Sequence, residues 1–106
     1  MTTPPPDLSV GRAVVEQVIR FAAMEVPGVV RVDRSGAPWR RILGTSPIGV
    51  RVQDRRVSVR LAIVARPGQP LAALCEAVQA AVSAAIERLV GLEVGEIVVL
   101  VDGVGV

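Results

Sequence analysis

The residues of this chain that could perform acid, base or nucleophilic chemistry are few and poorly placed. Its 106 residues include no histidine and no tyrosine, and all twelve basic residues are arginine. The commonest general acid, the amine nucleophile and the phenol are therefore missing. Cys75 and the serines have no histidine that could activate them. Glu93 and Glu96 could in principle act as a pair of acid and base, but glutamates on the surface at the start of a strand need no such explanation. We expect no enzymatic activity.

The sequence also predicts no metal or cofactor site and no small-molecule substrate. One cysteine cannot build a zinc site. Oxygen ligands from Glu93, Glu96 and Asp102 are too few and too widely spaced for calcium. No GxxxxGK[ST] pattern and no strand-borne GxGxxG occurs, since Gly103 and Gly105 follow the last predicted strand.

Composition predicts a single domain with an aliphatic core. Hydrophobic residues make up 51% of the chain, whereas aromatic residues make up only 2%. No run of about 20 apolar residues is present, as a bilayer crossing would need. The start of the chain, MTTPPPDLS, has no basic or apolar region typical of a signal peptide. We therefore expect a cytoplasmic location, with residues 1–7 as a flexible proline-rich leader and residues 8–104 as one domain.

Hydrophobic periodicity predicts the order helix, strand, strand, strand, helix, strand. The predicted elements are a helix at about 10–25, strands at 29–34, 48–53 and 56–64, a long helix at 71–89 and a strand at 94–101. In the long helix one apolar face recurs at steps of three and four, through Leu71, Leu74, Val78, Val82, Ala85 and Leu89. In the first helix the face comprises Val14, Val18 and Ala22, with Val15 and Ile19 beside them. Gly91 is predicted to end the long helix in a left-handed conformation.

The third strand, the long helix and the fourth strand predict a parallel crossover, while the two middle strands predict an antiparallel hairpin closed by Asp54 and Arg55. Each helix has one apolar face, so both must pack on the same side of the sheet. The predicted fold is therefore α+β: a two-layer sandwich with two helices on one face of a mixed sheet of three to four strands.

The last strand is apolar on both faces. Its residues Ile97, Val99 and Val101 belong to the core face, which leaves Val98 and Leu100 unexplained on the second face. That second face is predicted to carry residues of the hairpin as well, namely Arg51, Gln53, Ser58, Arg60 and Ala62. Because exposed apolar groups on a sheet usually mark a contact surface, we predict a protein contact at Val98, Leu100, Arg60 and Ala62.

Charge is distributed unevenly along the chain. Residues 31–66 contain nine arginines against two aspartates, a net charge of +7, whereas residues 67–106 contain one arginine against five acids, a net charge of −4. This separation suits head-to-tail self-association or an anionic partner. Solvated arginines on strand faces explain it equally well.

The stretch 35–47, SGAPWRRILGTSP, has no period and is predicted to be a loop. In it Trp39, Ile42 and Leu43 flank Arg40 and Arg41, a combination that could insert into a membrane interface or into a groove of a partner. The alternative is that Trp39 folds back over the aromatic-poor core.

Four segments carry a family resemblance, in order along the chain. They are VPGVVRV after the first helix, the hairpin VRVQDRRVSVRLAIV, the helix AVQAAVSAAIERLVGLEV with its Gly-Leu ending, and the closing strand IVVLVDGV. From about residue 8 to residue 104 the chain resembles the alkaline shock protein family of bacterial envelope stress response proteins. Family members usually have polar residues where Val98 and Leu100 stand in the last strand.

The resemblance implies a small cytoplasmic protein without known catalytic activity, abundant under alkaline or cell-wall stress. It implies that some members self-associate and are held near the membrane by a separate membrane-anchored partner, and it supplies no catalytic residue. We therefore expect a homo-oligomer with a membrane-anchored protein partner, acting as a scaffold or adaptor on the cytoplasmic side of the membrane.

RNA binding is the alternative function, with Arg51, Arg55, Arg56 and Arg60 of the hairpin as the contacting residues. The predicted sheet has no aromatic residue on which a base could stack. The stretch Gly-Thr-Ser-Pro also lacks the second glycine of a GxxG clamp. A nucleic-acid partner is therefore less favoured than a protein partner.

Overall fold

The computed structural model describes residues 8–33 and 46–105 and confirms the α+β order of elements. The elements are α1 (Leu8–Met24), β1 (Val29–Val32), β2 (Ile48–Gln53), β3 (Arg56–Ala65), α2 (Leu71–Ala85) and β4 (Glu93–Val104). One turn of π-helix, Ile86–Val90, continues α2. The predicted leader at 1–7 lies outside the described residues, as does Trp39 to Leu43 in the predicted loop.

The sheet is mixed, as predicted, and β3 is its central strand. Strand β2 runs antiparallel to β3 and pairs with residues Arg56 to Leu61 of β3. Strand β1 is also antiparallel to β3 and pairs with its residues Ile63 to Ala65. Because these two pairings use different parts of β3, β1 and β2 lie end to end along one edge. The parallel strand β4 occupies the other edge over the full length of β3. The predicted parallel crossover through the long helix is therefore confirmed.

The core lies between the sheet and the two helices, which pack on the same face. It is aliphatic, as predicted, and within the described ranges no polar or charged residue is buried. Its central members come from α1 (Val15, Ile19, Ala22, Ala23), from β3 (Val57, Val59, Leu61, Ile63) and from α2 with the π-turn (Leu74, Val78, Val82, Ala85, Ile86). Val94, Ile97, Val99 and Val101 of β4 pack against this cluster.

Three residues that were predicted to be core are exposed. Val14 is 56% exposed because the face of α1 that packs on the core centres on Val15 and Ile19. Val14 precedes Val15 and therefore lies about 100° away from that face around the helix. Leu89 is 65% exposed because the π-turn adds a residue to the helical repeat, so the next residue, Val90, packs against the core instead. Leu71 is 42% exposed in the first turn of α2, where the flanking Pro70 and Ala72 are exposed too.

The predicted two-residue hairpin connection and the predicted glycine helix end are both confirmed. Asp54 and Arg55 have φ angles of 50° and 64°, the left-handed conformation that a type I′ turn needs at both central positions. The hairpin achieves this without glycine. Gly91 has φ 77° and ends the π-turn, so the chain reverses toward β4.

A bulge near the start of β4 decides which of its side chains face the core. Val57 pairs with Val94 and Val59 pairs with Ile97, so β4 contains one more residue than β3 between these pairs. Strict alternation from Val94 would turn Val98 inward. The extra residue shifts the phase, so Ile97, Val99 and Val101 pack on the core and Val98 faces away.

Candidate functional site

The outer face of the sheet, opposite the helices, brings the four predicted contact residues together. Arg60 of β3 pairs with Val98 of β4, and the next outward residue, Ala62, pairs with Leu100. The four side chains therefore form two adjacent rows of two on the same face. We call them the contact patch.

The four members of the contact patch differ in how much surface they offer. Leu100 is 44% exposed, Arg60 is exposed and Val98 is partly buried, whereas Ala62 is only 3% exposed. Leu100 is therefore the most exposed apolar side chain of the patch, with Arg60 and Val98 beside it. Ala62 is buried and offers almost no contact area of its own.

An open depression adjoins the contact patch on the outer face. It has a volume of about 450 Å³ and is lined by polar side chains of all three neighbouring strands, including Arg51, Ser58, Arg60 and Glu96. Gly49 faces Arg60 across the strands and has no side chain to cover it. Two guanidinium groups against one carboxylate make the depression net positive. It is open to solvent, so it can hold a polar segment of a partner but does not isolate a reacting group from water.

The remaining arginines of the hairpin lie at its tip. Arg56 forms an ion pair with Glu93, with 3.6 Å between Nη2 and Oε2, and the Glu93 N–H donates a 3.1 Å hydrogen bond to the Arg55 carbonyl. The Arg55 side chain is exposed at the turn. Of the four arginines in the RNA-binding alternative, Arg51 and Arg60 thus share the outer face, whereas Arg55 and Arg56 belong to the tip.

A second surface, which sequence reasoning missed, lies between α2 and β4. Its wall comprises Glu76, Gln79, Ser83 and Glu87, its floor comprises Val94, Gly95 and Ile97, and its volume is about 490 Å³. We call it the acidic groove. The Gln79 Nε2 donates a 2.9 Å hydrogen bond to the Ile97 carbonyl and so ties the wall to the floor. The spacing of the four wall residues in the sequence indicates one polar helix face, which was the available signal for this surface. No neighbouring residues in the chain indicate that β4 runs alongside that face.

The segment with the predicted Trp39 to Leu43 contact lies outside the described residues, but its two attachment points are described. The Asp33 N–H donates to the Ala62 carbonyl, and the Ala62 N–H donates to the Pro47 carbonyl. Asp33 and Pro47, on the two sides of the segment, therefore both lie beside Ala62 of the contact patch.

A family model for the alkaline shock protein 23 family, described by its "cell envelope-related function", matches residues 5–106. The chain belongs to the alkaline shock protein 23 family. This confirms the resemblance drawn from the sequence, and the match covers nearly the whole chain. A comparison with curated proteins gives no match.

Among solved structures, this alkaline shock family chain is similar to MamM CTD. A methionine-to-leucine variant has 25% identity over 88% of this chain and 98% of its own, with a TM-score of 0.65. A manganese form of another variant has 25% identity over 87% and 98%, with a TM-score of 0.63, and a zinc form has 23% identity over 92% and 90%, with a TM-score of 0.67. Within residues 8–33 and 46–105 of the present chain, no group of three potential metal ligands comes together.

The description of the alkaline shock family concerns the cell envelope, yet no helix in the described ranges has the length and apolarity to cross a bilayer. The family description assigns no residue. The contact patch and the acidic groove are therefore candidate sites on the strength of their geometry alone.

Proposed function

We propose that this alkaline shock family protein is a non-enzymatic scaffold or adaptor of the envelope stress response. In this proposal it binds other copies of itself and a membrane-anchored protein on the cytoplasmic side of the membrane. The observation that supports this most directly is the contact patch, where Leu100 is 44% exposed on a sheet face that carries no helix in the described structure.

The composition of the contact patch supports a protein ligand. An exposed leucine beside a partly buried valine offers apolar area, and Arg60 borders it with a long aliphatic stem and a charged end. Protein interfaces commonly combine an apolar centre with a polar rim, and arginine is more frequent in them than on the rest of the protein surface. A small metabolite would instead need an enclosed pocket, and the neighbouring depression is open.

Self-association is tested by light scattering after size-exclusion chromatography over a range of protein concentrations. We expect the wild type to form oligomers and the double variant Val98→Glu, Leu100→Lys to be a folded monomer, with folding checked by circular dichroism. Glu at position 98 would stand opposite Arg60, so the monomer itself can accept the change. A wild type that stays monomeric up to its solubility limit would remove self-association from the proposal.

Recruitment by a protein is tested by sedimentation with membranes. We expect the purified protein to pellet with envelope membranes of its own cell, but neither with protease-treated membranes nor with protein-free liposomes. A Trp39→Ala variant serves as the control for direct lipid contact. Pelleting with liposomes that Trp39→Ala abolishes would replace the partner with the lipid surface itself.

RNA binding is a second candidate, and one observation favours it: Arg51 and Arg60 line the same net-positive depression. However, β1 to β4 carry no aromatic side chain, and stacking on such side chains supplies much of the affinity of sheet surfaces for single-stranded RNA. Protein binding therefore remains the leading proposal.

A further inference from the structure

We propose that copies of this chain join by strand pairing, with the outer edge of β2 in one copy running antiparallel to the outer edge of β4 in the next. The inference rests on the self-association proposed above and supplies a contact through sheet edges in addition to the contact patch. Within residues 8–33 and 46–105, β2 and β4 each pair with β3 alone. The other side of each strand therefore directs backbone N–H and C=O groups away from the sheet, where they can template a further strand.

In β4 the residues with outward backbone groups are Ile97, Val99 and Val101. The Gln79 side chain reaches the strand from α2 and donates its 2.9 Å hydrogen bond to the Ile97 carbonyl, which places this carbonyl on the outer edge. Alternate residues of a strand direct their backbone groups the same way, so Val99 and Val101 also point outward. Gln79 thus occupies one acceptor of the edge. In the described part of the chain nothing binds the outward groups of Val99 and Val101.

In β2 the corresponding residues are Ile48, Val50 and Val52. The Ile48 N–H donates a 3.2 Å hydrogen bond to the Ser46 Oγ, on the side away from β3, so its alternates Val50 and Val52 point outward as well. Ser46 thus occupies the first donor of this edge, as Gln79 occupies an acceptor of the other. Among the described residues nothing binds the outward groups of Val50 and Val52. Each edge therefore leaves two residues open to a further strand.

The two open stretches match in length and in side chains. Antiparallel pairing places Val52 opposite Val99 of the next copy and Val50 opposite Val101. Three of these valines pack against the core on the helix side of the sheet, and Val52 continues the same face but is 43% exposed. Aliphatic pairs directly opposite each other stabilise a strand pair. The contact therefore covers Val52 and continues the aliphatic core from one copy into the next.

The same register suits the outer face of the sheet and the direction of the strands. Arg51 comes opposite Leu100 of the next copy, which is 44% exposed and can be covered by the aliphatic stem of the arginine. Strand β2 is antiparallel to β3, whereas β4 is parallel to it. Antiparallel pairing of β2 with β4 therefore leaves both copies in the same orientation, with their helices on the same side of one continuous sheet.

Pairing of like edges is less favourable. Two β2 edges that use Val50 and Val52 would set Arg51 directly opposite Arg51, and like charges in this position destabilise a strand pair. Two β4 edges would bring two acidic grooves side by side, with Glu76 and Glu87 of each copy on the adjoining helices. Pairing of unlike edges avoids both contacts. Because it is heterologous, it extends into an open chain of copies unless its rotation closes a ring.

Disulfide cross-linking tests the register directly. Arg51→Cys and Leu100→Cys are made as separate proteins, both with Cys75→Ser to remove the native thiol. Opposite residues of an antiparallel pair that share no hydrogen bond have Cα atoms about 4.5 Å apart, within the range of a disulfide. On oxidation with copper phenanthroline we expect a disulfide-linked dimer of the two proteins, and none for Arg51→Cys alone. Leu89→Cys in place of Leu100→Cys is the matched control and should not cross-link, since Leu89 lies on the π-turn away from this edge.

A proline substitution tests the backbone hydrogen bonds. Val99→Pro removes one outward N–H of β4 and leaves the bonds to β3 in place, a position at which edge strands tolerate proline. Val99→Thr keeps the N–H and the branched shape and serves as the control. We expect Val99→Pro to weaken self-association at least about tenfold relative to Val99→Thr in sedimentation equilibrium, because a carbonyl of the next copy loses its donor. Circular dichroism checks that both variants fold.

The outcomes separate this inference from the proposed function. If the wild type self-associates but Arg51→Cys and Leu100→Cys give no mixed dimer, the edges do not pair, and the proposed scaffold role stands. An edge filled by a strand of another protein gives the same result. Equal association of Val99→Pro and Val99→Thr would also overturn the inference, because another surface would then carry the assembly. A wild type that is monomeric at every concentration would overturn both.

Discussion

Replacing Leu100 by alanine should weaken self-association through the contact patch by a predictable amount. Complete burial of a leucine side chain contributes about 1.5–3 kcal/mol, and Leu100 still exposes 44% of its surface in the monomer. The part left for an interface is therefore worth about 1 kcal/mol per copy. A patch that pairs with itself buries Leu100 from both copies, which is about 2 kcal/mol or roughly 30-fold in the dissociation constant. A patch that meets a different surface buries only one Leu100 side chain, which corresponds to roughly fivefold in the dissociation constant.

The assay is sedimentation equilibrium of the wild type, Leu100→Ala and Leu89→Ala. Leu89 is a matched control because it is also an exposed leucine, at 65%, but lies on the π-turn away from the outer face. Leu100 is partly buried in the monomer, so its truncation should also cost about 1 kcal/mol of stability and lower the melting temperature by about 4–8 °C. Association must therefore be measured well below the melting transition. Equal dissociation constants for Leu100→Ala and wild type would refute the reasoning, as would an equal effect of Leu89→Ala.

Three further predictions concern the fold and the alternative function. Gly28→Ala should lower the melting temperature more than Gly91→Ala. Both glycines have a positive φ, so both substitutions strain the backbone. An added Cβ at Gly28 would in addition lie 2.6 Å from the Gln69 Oε1, whereas one at Gly91 would meet nothing within 4 Å. Equal losses would show that the Gln69 side chain moves aside freely. Glu93→Gln should change the free energy of urea unfolding by less than about 0.5 kcal/mol, since its ion pair with Arg56 is largely exposed; a larger loss would reveal a stronger pair. Mixed single-stranded RNA should not shift in a gel at low salt, whereas a shift that disappears at high salt would favour the RNA-binding alternative.

Local features of the sequence were sufficient to predict most of the elements. The alternation in β2 and β3, the two-residue connection at Asp54 and Arg55, and the glycine end at Gly91 all depend on residues that are close in the chain. The single apolar face of each helix was enough to place both helices on one side of the sheet. For the same reason Val98 and Leu100 could be recognised as apolar residues that the core does not use.

Only the tertiary structure decided how these elements combine into surfaces. The strand order, with β1 and β2 end to end on one edge and β4 on the other, depends on pairings between residues far apart in the chain. The bulge in β4 and the π-turn at Ile86–Val90 each add one residue to a repeat, so they redirect side chains that a regular period would have placed otherwise. The acidic groove exists because β4 returns beside the polar face of α2. Hydrophobic periodicity describes one helix or strand at a time, whereas the acidic groove is formed by a helix and a strand together.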